Sequence, residues 1–96
     1  MSIGDTISNI VSVAAGAYLN IKPPAGVEWV IHNINHEGSV ELYFTDGTNY
    51  IKIDSSNGPG GWLSFAFHVT NSRWYAVKNV ETTAKLISYD GIVTKG

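Results

Sequence analysis

Pro23-Pro24-Ala25-Gly26-Val27-Glu28-Trp29-Val30-Ile31-His32-Asn33-Ile34 is a proline-glycine turn that opens into a long apolar run. Proline has no N–H to give to a ladder and Gly26 permits a turn, so a strand is expected to begin just past them. From Glu28 to Asn35, Trp29 and Ile31 on one face oppose Val30 and Ile34 on the other. Apolar residues on both faces are the pattern of a strand covered from two sides, and such a strand is central.

On either side of this stretch the same period-two rhythm recurs, in short runs punctuated by glycine, asparagine or aspartate. That rhythm belongs to strands, and no segment carries the 3.6-residue period of an amphipathic helix. Leu19 and Ile21 share one face of a strand that Pro23-Pro24 ends. After His36-Glu37-Gly38, Val40, Leu42 and Phe44 alternate with Glu41, Tyr43 and Thr45. Asp46-Gly47 is a hairpin signal, followed by a partner strand with Ile51 and Ile53 inward and Tyr50, Lys52 and Asp54 outward. Ser55 to Gly61 reads as a surface loop. Leu63, Phe65, Phe67 and Val69 then form one face of a single strand, with Trp62, Ser64, Ala66, His68 and Thr70 on the other. Two more strands follow, Arg73 to Val80 and Ala84 to Tyr89, and Asp90-Gly91 is read as a last turn before Ile92-Val93-Thr94. Seven to eight strands at this spacing predict an all-β, antiparallel β-sandwich, jelly-roll-like, as a single domain over residues 17–96. Residues 1–16 are thinner in pattern, with Ile7, Ile10, Val11 and Val13 among small residues, and are expected to be an edge strand or an arm laid on a neighbour.

Bulk composition narrows the function classes. A 96-residue chain builds one modest core, so partners are expected to add stability. Only 15% of its residues are charged, which leaves an outside made largely of neutral polar and apolar groups. Six Lys and Arg against eight Asp and Glu, with no basic stripe, argue against nucleic acid as a partner. The absence of cysteine removes disulfides and thiolate metal sites. No basic leader and no apolar run of about 18 residues is present, so the expectation is a soluble protein made in a cytoplasm, with no membrane partner.

Catalytic and metal readings find little purchase. His32 and His36 are four residues apart, and on a strand that is roughly 13 Å, too far for two ligands of one ion. His32-Asn33-Ile34-Asn35-His36-Glu37 also lacks the His-x-His spacing of cupin enzymes. No serine is framed by a Gly-x-Ser-x-Gly elbow, and Ser64 and His68 are separated too widely along a strand. No pair of carboxylates stands out for glycosidic cleavage. The expectation is a non-enzyme with no catalytic residue, metal or cofactor. The aromatics say more. Trp29, Trp62, Trp74, Tyr18, Tyr43, Tyr50, Tyr75 and Tyr89 are many for so small a core, and Tyr43 and Tyr50 face outward on strands joined by one hairpin. Ile7, Ile10, Val11, Val13, Tyr43, Tyr50, Trp62 and Trp74 are the candidate interface residues.

The run from Pro23 to Asp46-Gly47-Thr48-Asn49, with Phe67-His68-Val69-Thr70-Asn71, Val77-Lys78-Asn79 and Tyr89-Asp90-Gly91-Ile92-Val93-Thr94-Lys95, resembles small virion proteins of tailed bacteriophages. The resemblance spans roughly residues 18 to 95. It implies a β-sandwich that decorates a capsid or forms part of a head fibre or tail, commonly as a homotrimer, with the major capsid protein or another virion protein as partner and the virion as location. The reading from another class is a carbohydrate-binding or receptor-binding module, with exposed Trp and Tyr against sugar faces and Asn57, Asn71 or Asp46 as polar partners.

Overall fold

The computed structural model describes residues 2–96, and Met1 lies outside them. All of its regular structure is strand: β1 (Thr6–Val13), β2 (Tyr18–Ile21), β3 (Glu28–His36), β4 (Val40–Thr45), β5 (Tyr50–Ser56), β6 (Gly60–Trp62), β7 (Phe67–Val69), β8 (Trp74–Asn79) and β9 (Lys85–Lys95). One sheet runs β1-β9-β3-β6, with β7 also on β3, and the other runs β2-β8-β4-β5. All pairings are antiparallel. Because β6 and β7 lie end to end along β3, the nine segments behave as eight strands in two four-stranded layers. The chain crosses between the layers at every connection except β4–β5 and β6–β7, which is a jelly-roll sandwich.

Strand β3 is central as expected, but its apolar residues are distributed differently. Ile31 pairs with Gly91 and Asn33 with Asp90, so His32 is an extra, unopposed residue. This bulge shifts the alternation by one, and Trp29, Ile31, Ile34 and His36 all point into the sandwich. Val30 is left on the outer face between Ile92 and His68. The bulge also divides the neighbouring strand. Phe67 to Val69 pair with β3 before it and Gly60 to Trp62 pair after it, while Leu63 to Ala66 loop across the gap. That loop is pinned to the bulge, since Phe65 N donates to His32 O at 3.0 Å and Ser64 N to Asn33 Oδ1 at 3.0 Å. Asn33 Nδ2 in turn donates to Asp90 Oδ1 at 2.7 Å. Ser64 takes a φ of 60° to make this path. The single strand expected from Trp62 to Thr70 is therefore two, and Leu63 and Phe65 are 58% and 50% exposed instead of lining the core.

Asp90-Gly91 is likewise not a turn, because β9 runs unbroken from Lys85 to Lys95. Glycine is needed here for close approach. A Cβ at Gly91 would lie 2.0 Å from Val30 O and 2.8 Å from Ile31 Cα. Asp46-Gly47 is the turn expected, with Gly47 at φ 94°. The Asp46 carboxylate accepts from Thr48 N and Asn49 N at 2.9 and 2.7 Å, and these bonds hold its pKa down at about 2. Residues 6–13 form β1, an edge strand paired along its length with β9. Strand β5 is the edge of the second sheet. Ile51, across from Phe44, lies on the inner side at the open edge, and Ile53 is an unopposed residue where Tyr43 pairs with Lys52 and Leu42 with Asp54. The two are 60% and 52% exposed against the expectation that they face inward, while Asp54, expected outward, is turned to the Trp62 indole.

Between the layers, Ile21, Ile31, Ile34, Leu42, Val69, Val77, Ile87 and Val93 are fully buried. Asn79 is a fully buried amide, and its Nδ2 donates to Val13 O and Thr83 O, both at 2.9 Å, while Oδ1 accepts from Glu81 N.

Gly91→Ala is expected to destabilise the fold by at least about 2 kcal/mol, read from the urea midpoint, because the clash is with backbone and cannot be relieved by a rotamer. An unchanged midpoint would contradict the bulge geometry. Asp46 is expected to titrate near 2 by carboxyl NMR. Since its native pKa lies below the ordinary aspartate value of 3.8, its contribution to stability is complete above that value and is lost as pH falls toward 2.

Candidate functional site

The outward positions of the second sheet bring together residues from all four of its strands. On β2, Leu19 and Ile21 face the core, so Tyr18 and Asn20 face outward, with Lys22 one residue beyond. On β4 the outward residues are Glu41, Tyr43 and Thr45, and on β5 Tyr50 and Lys52 stand across from Thr45 and Tyr43. Strand β8, between β2 and β4, contributes Trp74, Ala76 and Lys78. Ala76 is the small member of this set, and although it points outward it is completely buried. Its size lets the rings on the flanking strands lean across β8 and meet above it. The centroids of Tyr18 and Tyr43 are 5.6 Å apart, those of Tyr18 and Tyr50 5.3 Å, and those of Tyr43 and Tyr50 6.2 Å. The interplanar angles of 69° and 80° for the pairs with Tyr43 are edge-to-face arrangements, the favoured geometry for ring quadrupoles. Tyr18 and Tyr50 nevertheless stay 37% and 44% exposed.

Polar groups around the three rings are fixed unequally. Tyr43 Oη donates to Glu41 Oε1 at 2.6 Å, and Lys52 Nζ reaches Glu41 Oε2 at 3.1 Å. The hydrogen bond to the carboxylate raises the Tyr43 pKa to about 12. The same bond, followed by that from Lys52, lowers the pKa of Glu41. Glu41 is thus fully engaged. Lys78 Nζ lies 5.8 Å from the centre of the Tyr18 ring, and Lys22 Nζ lies 4.4 Å above Trp74. Neither lysine has an ion pair among the described residues. Trp74 is clamped from several sides: its Nε1 donates to Asn20 Oδ1 at 3.0 Å, Lys22 covers it, and Gly47 sits against its edge.

A second feature lies at the open edge between the layers. Phe65 stacks on Phe67 at 5.1 Å, Phe67 meets Tyr75 at 4.9 Å, and Tyr75 meets Phe44 at 5.0 Å, which pairs with Ile51. This aromatic file runs from the Leu63–Ala66 loop to β5, and its two ends carry exposed Phe65, Leu63, Ile51 and Ile53.

The eight interface candidates divide under this geometry. Tyr43 and Tyr50 come together in the tyrosine cluster, and Ile10 stands 70% exposed on the outer side of β1. Ile7 and Val11 pack against the core and Val13 is buried. Trp62 and Trp74, expected at the surface, are 6% and 7% exposed. Trp62 turns inward because it pairs with Ile34 beyond the bulge, and its Nε1 donates to Asp54 Oδ2 at 2.9 Å. Tyr18, Lys22 and Lys78 were missed as site residues. The alternation of Tyr18, Asn20 and Lys22 marked an outward row, but the adjacency of β2, β8 and β4 is not written in any one strand.

The three histidines do not converge. His32 occupies the bulge, His68 is exposed, and His36 is buried against Trp62, with Nδ1–H donating to Gly38 O at 2.8 Å and Nε2 without a partner. Among the described residues no group of three or more His, Asp or Glu is placed to hold a metal ion. A cavity of about 330 Å³ lies elsewhere, between Ile10, Leu86, Ser88 and Pro59. Compared with known proteins, the sequence matches no protein-family model and no curated protein.

The Tyr43 phenol is expected to stay protonated through pH 11 by NMR or ultraviolet titration, and Glu41→Gln to move it back toward 10. Because the native pKa is raised, the native state holds a proton that the unfolded chain has released between pH 10 and 12. Stability is therefore expected to fall across that interval. A Tyr43 titration at 10 in the unaltered protein would contradict the hydrogen bond.

Proposed function

We propose that the chain is a non-enzymatic structural protein of a tailed-bacteriophage virion, a capsid decoration protein that self-associates, as a trimer, and binds the capsid shell. The virion assignment rests on the sequence resemblance over residues 18–95. The observation that carries the self-association is the open edge of the sandwich. Ile51, Ile53, Leu63 and Phe65 are each more than half or half exposed, on a chain too small to waste apolar area, and they frame the aromatic file from Phe67 to Phe44. Strand β5 also leaves one side of its backbone unpaired, a row of donors and acceptors available to a neighbouring subunit. Burying this edge against a second and third copy covers both. Ile10, on the opposite edge strand, is then available to the shell.

Light scattering on the eluting protein at micromolar concentration is expected to give the mass of a trimer, and Leu63→Glu with Phe65→Glu to give a monomer with unchanged far-ultraviolet circular dichroism. Ile10→Asp is expected to weaken sedimentation with purified capsids while leaving the trimer intact. A monodisperse monomer that does not bind capsids would overturn this reading.

A further inference from the structure

We propose that the Tyr18–Tyr43–Tyr50 face binds an anionic polysaccharide, a chain of pyranose units carrying carboxylates. This site lies on the outer face of the second sheet and is built from the residues of a single copy.

Charge is what separates this face from an ordinary solvated sheet. The chain as a whole is at −2 with only six Lys and Arg, yet three of the six, Lys22, Lys52 and Lys78, gather here. Glu41 is the only acid at the outward positions of these four strands, and it is already satisfied by Lys52 and Tyr43. Glu41 is thus one acid shared between Lys52, in direct contact, and Lys78, which stands across from it on β8 beyond ion-pair distance. Lys22 over Trp74 adds a third positive charge, so the face carries more cations than anions. A net positive patch on an acidic protein favours an anionic ligand.

The aromatic geometry narrows the class. Tyr18 and Tyr50 expose ring surface next to one another at 5.3 Å between centroids, while the Tyr43 hydroxyl is turned aside to Glu41. Partly exposed tyrosines beside lysine ammonium groups suit a pyranose, which offers C–H groups on its flat faces and hydroxyls on its rim. Apart from the buried Ala76, the residues of these strands paired on the outward side are aromatic, polar or charged, and the nearest exposed aliphatic is Ile53, the unopposed residue of the edge strand β5. None of the described cavities involves Tyr18, Tyr43 or Tyr50. The surface is open, so it suits internal units of a long chain lying across the sheet better than a small molecule needing enclosure. Affinity for one subunit is expected to be weak and to rise with the number of copies presented together.

The test is a two-dimensional NMR titration of the full chain with oligogalacturonate, with cellohexaose as neutral sugar and polyglutamate as sugar-free polyanion. Oligogalacturonate is expected to shift resonances of Tyr18, Tyr50 and Lys78, and to bind more tightly than either control. Losing two aromatic contacts in Tyr18→Ala with Tyr50→Ala should weaken binding about tenfold or more. Lys78→Gln, which leaves the rings in place, should weaken oligogalacturonate roughly threefold at an unchanged melting temperature. Absence of shifts at millimolar oligogalacturonate would overturn the proposal. So would polyglutamate binding as tightly, which would make the site merely cationic. Equal binding of cellohexaose with no effect of Lys78→Gln would overturn the anionic class. Shifts at Tyr18 and Tyr50 that follow protein concentration alone would assign the face to a second copy instead.

Discussion

The pairing of β3 with β9 at the His32 bulge is the constraint on which the first sheet depends. An unbroken β3 would divide its apolar residues between two faces, with Ile34 and His36 turned away from Trp29 and Ile31. One extra residue opposite Gly91 and Asp90 brings all four to the same side. The close approach this requires leaves no room for a Cβ at position 91, which explains a glycine in the interior of an eleven-residue strand. The same offset breaks the adjoining strand into β6 and β7. It also extrudes Leu63 and Phe65, held by the His32 carbonyl and the Asn33 amide. An element of core packing thus shapes the exposed edge to which self-association is attributed.

The second sheet solves a different problem. Its inner face joins aliphatic Leu19, Ile21, Val40, Leu42 and Val77 to Phe44, Tyr75 and Asn79, while its outer face places three tyrosines, a tryptophan and three lysines within one row of strands. Ala76 is what makes the tyrosines a cluster, since a larger residue at that point would hold the rings of β2 and β4 apart. The ionic groups are then sorted by geometry. Glu41 is neutralised by Lys52 and anchored to Tyr43, while Lys22 and Lys78 remain poised over rings. The two surfaces proposed to act meet at β5, whose free edge with Ile51 and Ile53 is given to other subunits and whose outward Tyr50 and Lys52 belong to the tyrosine face.

Much of the fold was legible in the sequence because most strands keep strict alternation. Leu19 and Ile21, and Val40 and Leu42, face the core as their spacing predicts, and Asp46-Gly47 turns as its chemistry requires. What period two cannot convey is an insertion of one residue. Trp29-Val30-Ile31 and Ile34 read as a two-faced strand, and Leu63 to Val69 as one continuous face, because the bulge that realigns the first and interrupts the second is set by β9, more than 50 residues away in the chain. Gly91 carried the signal, but glycine after aspartate reads equally as a turn. In the candidate site, Tyr43 and Tyr50 were legible through their hairpin. Tyr18 and Lys78 were not, because their proximity follows from the sandwich's strand order. Trp62 and Trp74 show the converse: their indole N–H groups found Asp54 and Asn20, which allowed both to be buried.

Cross-strand contacts between β3 and β9, measured as Hα–Hα and amide nuclear Overhauser effects, test the account most directly. The bulge predicts Ile31 opposite Gly91 and Ile34 opposite Tyr89, with His32 facing no partner. Finding Ile34 opposite Ser88, the register of an unbroken ladder continued from Ile31 and Gly91, would contradict it.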